Sequence, residues 1–84
     1  MVYVESAVRG RQIIAAARDV LVRDGVARTT MRAVADEAQI PLGTLQHVFP
    51  TKHKLLRAVI EDVVEEIAEV LRTSADLDDG LEHA

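Results

Sequence analysis

A length of 84 residues suffices for one small domain with a single core. The absence of cysteine excludes disulfides, thiolate metal sites and thiol nucleophiles, and no apolar run resembles a signal peptide or approaches the ~20 residues of a membrane span. We therefore expect a protein of the reducing cytoplasm. The 49% of apolar residues are mostly aliphatic, with Tyr3 and Phe49 as the only aromatics, a composition that favours packed helices.

The net charge of −4 is divided unevenly along the chain. Residues 1–57 hold nine Lys/Arg and five Asp/Glu, a net charge of +4. Residues 58–84 hold one Arg and nine acids, a net charge of −8. This asymmetry indicates that the first segment meets a polyanion while the second faces water or a partner.

The first predicted helix runs from about Ala7 to Asp24. Apolar residues recur within it at the helical spacings of three and four, at Ile13, Ile14, Ala17, Val20 and Leu21. Gly25 follows directly and predicts a left-handed helix end, because glycine has no Cβ to clash there.

Two short helices are predicted next. The second covers Met31–Ala38, with Thr29 or Thr30 as its cap, because a hydroxyl oxygen accepts a hydrogen bond from an unpaired backbone N–H. Pro41 interrupts the pattern and is tolerated in the first turn of a helix, so a third helix begins there at once and runs to about Val48.

The fourth predicted helix is the longest, running from Lys52 to about Arg72 after a capping Thr51. A broad apolar stripe follows it, at Leu55, Leu56, Val59, Ile60, Val63, Val64, Ile67, Val70 and Leu71. Residues 74–84 are acidic, contain a glycine and are predicted to be disordered. The sequence thus predicts an all-α fold of four helices, with a helix-turn-helix domain over 1–60 and a long helix over 52–73.

Catalytic and metal-binding patterns are missing from the sequence. Neither Ser6 nor Ser74 has a base and an orienting partner, and there is no glycine-rich phosphate loop. The acids of the fourth helix recur at four-residue spacings, but a solvated helix face explains them and no histidine joins them at ligand spacing. We predict that the protein is not an enzyme and carries no metal or cofactor.

The order of these elements matches the helix-turn-helix plan of two short helices joined by a tight break. The signature residues are Gly25, Thr29-Thr30, Val34-Ala35, Ala38, Gly43-Thr44-Leu45, Phe49, Lys52 and Leu55-Leu56. They lie within IIAAARDVLVRDGVARTTMRAVADEAQIPLGTLQHVFPTKHKLLRAVI, residues 13–60. This stretch resembles the N-terminal signature of the tetracycline-repressor (TetR) family of bacterial transcription regulators.

The resemblance implies a sequence-specific repressor of transcription that binds duplex DNA. In such a protein Met31–Ala38 is the positioning helix and Leu42–Val48 is the recognition helix in the major groove. A homodimer presents two recognition helices to a near-palindromic operator. The long helix over 52–73 would lead to a ligand-binding and dimerisation domain that these 84 residues lack, so we expect no small-molecule inducer to bind this segment.

The resemblance also implies the DNA-binding residues. The recognition helix is expected to present Leu42, Gly43, Thr44, Gln46 and His47 to the DNA, whereas Leu45 and Phe49 face the core. Gln46 is the candidate for base reading, because a side-chain amide can bond bidentately to adenine. The expected phosphate contacts, which position the domain without reading sequence, are Lys52 together with Arg28 or Thr30.

Four positions depart from the family's pattern. Gln46 stands where members usually carry Tyr, and Val48 where His or Tyr is common; both family residues are commonly used to grip phosphate. Gln39 and Pro41 replace the usual turn Gly and helix-capping Ser, which predicts a differently shaped turn.

A function of another class remains open. The apolar stripe of the fourth helix extends beyond the reach of the first three helices, at Val63, Val64, Ile67, Val70 and Leu71. The alternative is a protein-interaction or dimerisation module that uses this face without binding DNA independently.

Overall fold

The computed structural model describes residues 2–83, with side chains described over 7–77. It contains four helices: α1 (Val2–Asp24), α2 (Met31–Ala38), α3 (Leu42–Val48) and α4 (Lys52–His83). No strand occurs in the described range, and the predicted all-α, four-helix fold is confirmed. None of the described helices is both long and apolar enough to cross a lipid bilayer.

The first helix begins at Val2, earlier than the expected Ala7, because no glycine or proline interrupts residues 2–6. It ends as predicted, with Gly25 at a φ of +85° and its amide donating to the Leu21 carbonyl at 2.9 Å. The Thr29 hydroxyl then donates to the Gly25 carbonyl at 2.7 Å and is buried. This bond ties the connection between α1 and α2 to the end of α1.

The second helix is capped by Thr30, whose Oγ1 accepts from the Ala33 amide at 3.0 Å. It ends at Gln39, which lies in the left-handed region at φ 59° and ψ 44°. In that conformation the Gln39 amide donates to the carbonyls of Ala35 and Asp36. This conformation costs a non-glycine residue roughly 1–2 kcal/mol. Gln39 is therefore strained in a conformation that glycine adopts without a Cβ clash.

The third helix spans Leu42–Val48, the range expected for the recognition helix. Pro41 is its N-cap rather than its first helical residue, with φ −63° and ψ 146°, and it supplies no side-chain hydrogen bond. The Pro41 carbonyl instead accepts from the amides of Thr44 and Leu45 at 3.0 and 3.2 Å. The turn between α2 and α3 is therefore only three residues long, 39–41.

The fourth helix begins as predicted, with Thr51 Oγ1 accepting from the Lys54 amide at 3.1 Å. It continues to His83, which corrects both the predicted helix end near Arg72 and the predicted disorder over 74–84. Helical spacing of apolar residues continues to Leu77, no proline follows Arg72, and a single Gly80 costs only about 1 kcal/mol. Ala84 lies outside the described residues.

The core lies where α1, α2 and α4 meet, and one side chain of α3 completes it. Its buried cluster consists of Ile13, Ala16, Ala17, Val34, Ala35, Leu45, Leu55 and Val59. Phe49 packs against this cluster from the connection that follows α3. Full burial of a side chain such as Leu45 contributes about 1.5–3 kcal/mol. Packing therefore buries one face of α3 and leaves the opposite face exposed to solvent.

Ion pairs connect α1 to its neighbours at the surface. Arg18 Nη1 lies 2.6 Å from Glu66 Oε2 and 3.0 Å from Asp62 Oδ2, which joins α1 to α4. Hydrogen bonds to Glu66 and to Asp62 raise the pKa of Arg18 above its ordinary value. Arg23 reaches Glu37 of α2 at 2.9 Å. Such exposed pairs stabilise little, so they orient the helices more than they hold the fold together.

Replacing Gln39 with Gly should stabilise the domain, because glycine adopts a φ of 59° without a Cβ clash. We expect a gain of about 1 kcal/mol, or roughly 4–8 °C in Tm, measured by thermal and urea denaturation. Asp36→Gly, a glycine placed at an ordinary helical position of α2, is the matched control and should cost about 1 kcal/mol. Unchanged stability of Gln39→Gly would show that the left-handed residue carries no strain.

Candidate nucleic-acid interface

The exposed face of α3 is small and polar. Gln46 and His47 are exposed and Thr44 is half-buried, whereas Leu45 between them is fully buried. Gly43 is exposed as well, and a Cβ built there meets no atom within 4 Å. Packing inside the chain therefore gives no reason for glycine at position 43, and the backbone of α3 is open to approach from outside.

Leu42 differs from the other predicted contacts of α3. Its side chain is half-buried and packs against the core cluster, so it does not belong to the exposed face. The reason is helical geometry: Leu42 lies three residues before Leu45 and Val48 three residues after, which puts all three on one face. The family resemblance implied an outward Leu42, whereas in the structure its partly buried side chain packs against the core cluster.

The predicted phosphate contacts of the α1–α2 connection and of α4 come together. Lys52 Nζ donates to the Val26 carbonyl at 3.3 Å, which brings the first turn of α4 against the connection that carries Arg28 and Thr30. A Lys ammonium has three donors, and the bond to the Val26 carbonyl uses one of them. The Thr30 hydroxyl accepts from Ala33 and keeps its own hydrogen for donation. Arg28 is exposed and lies in the same connection as Val26 and Thr30.

Charge is distributed so that positive groups remain available near α3. Among the side chains described over 7–77, Arg18, Arg23, Arg57 and Arg72 have carboxylate partners within 4.0 Å. Six basic residues have none within that described set; they are Arg9 and Arg11 of α1, Arg28 of the connection before α2, Arg32 of α2, and Lys52 and Lys54 of α4. Anions that approach the connection before α2 or the first turns of α2 and α4 therefore meet cations that no described carboxylate within 4.0 Å neutralises.

Sequence reasoning missed Arg32 and Lys54 as members of this basic set. Both are exposed and lie in the first turn of a helix: Arg32 in α2, which packs against α3, and Lys54 in α4, which follows α3 along the chain. The sequence does contain a signal for them: a basic residue follows each capping threonine within the first helical turn, Arg32 two residues after Thr30 and Lys54 three residues after Thr51. Over the described residues, no three His, Asp or Glu side chains gather as a metal site.

Comparison with known proteins identifies the family. Residues 13–59 match the family described as bacterial regulatory proteins, tetR family, and this range exceeds half of the chain. The chain belongs to the TetR family. The HTH-type transcriptional regulator LuxR of Vibrio harveyi is 31% identical over 70 residues, which are 83% of this chain and 34% of that protein. The chain thus spans about a third of this relative's length. No solved structure matches the chain.

Family membership agrees with the expectation drawn from the sequence signature. The matched range contains the whole of α2 and α3 and every predicted DNA-contact residue from Arg28 to Lys52. Together with the likeness to a transcriptional regulator, it supports a DNA-binding transcription regulator with a helix-turn-helix.

Thr29→Val should destabilise the domain, because it removes only the hydroxyl that donates to the Gly25 carbonyl and leaves that carbonyl without this partner. We expect a loss of about 1–3 kcal/mol in the free energy of unfolding, measured by urea denaturation. Thr73→Val, at an exposed position of α4, should stay within about 0.5 kcal/mol of the parent. Equal stability of the two variants would contradict the structural role of Thr29.

Proposed function

We propose that this protein is a repressor that, as a homodimer, binds a near-palindromic operator sequence-specifically through α3. The observation that carries the proposal is the polar outward face of α3, within the range that matches the family, together with basic residues before α2 and in the first turns of α2 and α4 that have no carboxylate partner among the described side chains. A two-fold dimer presents two equivalent recognition helices to two half-sites. Since bacterial chromosomal DNA lies in the cytoplasm, the proposal assigns the protein to that compartment.

Base reading is assigned to the exposed side chains of α3. The Gln46 amide offers both a donor and an acceptor, the pair that adenine presents at N7 and N6 in the major groove. Thr44 has a hydroxyl for a base or phosphate and a methyl for thymine, and His47 donates to either. Gly43 adds no side chain between the α3 backbone and the DNA.

Phosphate binding is assigned to Arg28, Thr30 and Lys52. The hydrogen bond from Lys52 to the Val26 carbonyl holds the ammonium against the connection between α1 and α2 before DNA arrives. Less side-chain freedom is then lost on binding, which favours affinity. These contacts set the orientation of the domain on the duplex without discriminating between sequences.

A second candidate function is a protein-interaction or dimerisation module. It is favoured by the exposure of Ile60, Val64, Ile67 and Leu71 on α4, each more than half exposed. We also propose that a small-molecule inducer is not bound by this segment, because the cleft between α1 and α4 in its described part is open to solvent and is lined in part by charged side chains such as Arg18, Asp19 and Asp62.

The deciding experiment is a fluorescence-anisotropy titration of the chain onto the DNA upstream of its own gene and onto a random duplex, at several salt concentrations. Tighter binding to the upstream fragment, with affinity falling steeply as salt rises, supports the proposed function. Equal or absent binding on both duplexes, repeated with a covalently linked dimer, overturns it in favour of the interaction module.

Lys52→Ala should weaken binding to all duplexes alike, because Lys52 is assigned to phosphate. The slope of log K against log salt should become shallower by about 1. Arg72→Ala is the matched control: it removes a cation from the same helix, but one already paired with Glu65 and Glu69, and should leave the slope unchanged. A loss confined to the upstream fragment would contradict the phosphate assignment.

Gln46→Ala should instead reduce discrimination at one base position. If the amide bonds bidentately, the loss on the preferred sequence is roughly 1–3 kcal/mol, with little change on random DNA. A panel of duplexes with single base-pair changes locates this position. Changing the base pair that Gln46 reads should cause the Gln46→Ala variant no further loss of affinity. Equal losses on specific and random duplexes would rule out base reading by Gln46.

A further inference from the structure

The direction of each side chain of α3 follows from the burial of Leu45. At about 100° per residue, Gly43 and His47 each lie roughly 160° from Leu45 around the helix. Thr44 and Gln46 each lie roughly 100° from Leu45, one on either flank. Burial agrees with these angles, because His47 is exposed whereas Thr44 is half-buried. Since Gly43 has no side chain, His47 is the side chain of α3 that points farthest from the core.

The imidazole of His47 is available to a molecule outside the chain. None of the side-chain hydrogen bonds within the described part of the chain involves either of its nitrogens. A helical side chain leans toward the N-terminus of its helix and covers the turn before its own Cα. His47 therefore extends over the first turn of α3, the turn that contains Gly43.

Gly43 supports a role for His47 at close range. Glycine is a poor helix former, and packing does not require it at position 43, because a Cβ built there meets no atom within 4 Å. Gly43 lies one turn before His47 and roughly 40° from it around the helix. Without a side chain at position 43, the backbone of α3 can approach a ligand closely, and the imidazole has a shorter distance to span.

In a DNA major groove, the side chain opposite the core is the one that reaches deepest, a consequence that rests on the proposed function. The groove is about 12 Å wide and about 8.5 Å deep, and an α-helix with its side chains is about 10–12 Å across. Thr44 and Gln46, on the flanks of α3, therefore lie nearer the two walls of the groove. His47 faces the base edges at its floor, whereas the phosphates lie along its rims.

Guanine is the base whose edge fits a hydrogen-bond donor at this position. The outer nitrogen of an imidazole donates when it carries a proton. Guanine presents two acceptors to the major groove, N7 and O6, whereas adenine presents N7 beside the N6 amino donor and cytosine presents a donor. Thymine presents one acceptor beside its methyl group. We infer that His47 reads a guanine in each half-site by donating a hydrogen bond to its N7 and O6 edge.

Fluorescence anisotropy of the full chain on the fragment upstream of its own gene, with each G·C pair replaced in turn by A·T, tests this assignment. Replacement of the guanine that His47 reads in one half-site should weaken binding by the parent roughly three- to tenfold, the effect of one hydrogen bond. His47→Ala should bind the unchanged fragment more weakly and should lose nothing further on that replacement. His53→Ala removes the exposed imidazole in the first turn of α4 and is the matched control, which should be as sensitive to the replacement as the parent.

His47→Arg is the rescue variant, because arginine also donates to guanine N7 and O6, and it should keep the preference for guanine at the same base pair. Far-UV circular dichroism verifies that the variants fold. The inference is overturned if no G·C pair distinguishes His47→Ala from the parent, or if His47→Ala loses affinity equally on the upstream fragment and on random DNA, as a phosphate contact would. A parent that prefers the upstream fragment without such a guanine refutes the assignment of His47 alone. A parent without that preference refutes the proposed function, and the assignment with it.

Discussion

Burial of Leu45 in the core between α1, α2 and α4 is the contact on which the candidate interface depends. It is the buried side chain of α3, and the rotation of this seven-residue helix about its axis follows from it. With Leu42 and Val48 on the same side, the residues between them, Gln46 and His47, are directed outward. A polar substitution at Leu45 would therefore affect the outer face as well as stability.

The short turn between α2 and α3 sets the relation of the two helices. Two residues that are uncommon at such positions form this turn. Gln39 adopts a strained left-handed conformation, and Pro41 caps α3 through its backbone carbonyl alone. The departures from the family's usual Gly and Ser thus change the local energetics, while three residues still connect α2 to α3. Strain at a turn is tolerated when packing on both sides fixes the conformation, as Val34, Ala35 and Leu45 do here.

Charge pairing separates the molecule into two electrostatic regions. Carboxylates of α4 engage Arg18 of α1 and Arg72 of α4 itself, so the acidic half of the chain is partly neutralised at a distance from α3. Basic residues at the starts of α2 and α4 have no such partner among the described side chains. A chain with a net charge of −4 can in this way present a positive surface to a polyanion.

By itself the sequence determined the number and order of the helices, the helix end at Gly25 and the family, because spacing of apolar residues, capping hydroxyls and glycine act over a few neighbouring residues. Only the tertiary structure decided which of two adjacent threonines is buried and which caps α2, since both have the same local chemistry. It also decided that Leu42 joins the core and that Lys52 meets the connection before α2. These outcomes depend on contacts between residues distant in sequence, which local pattern does not encode.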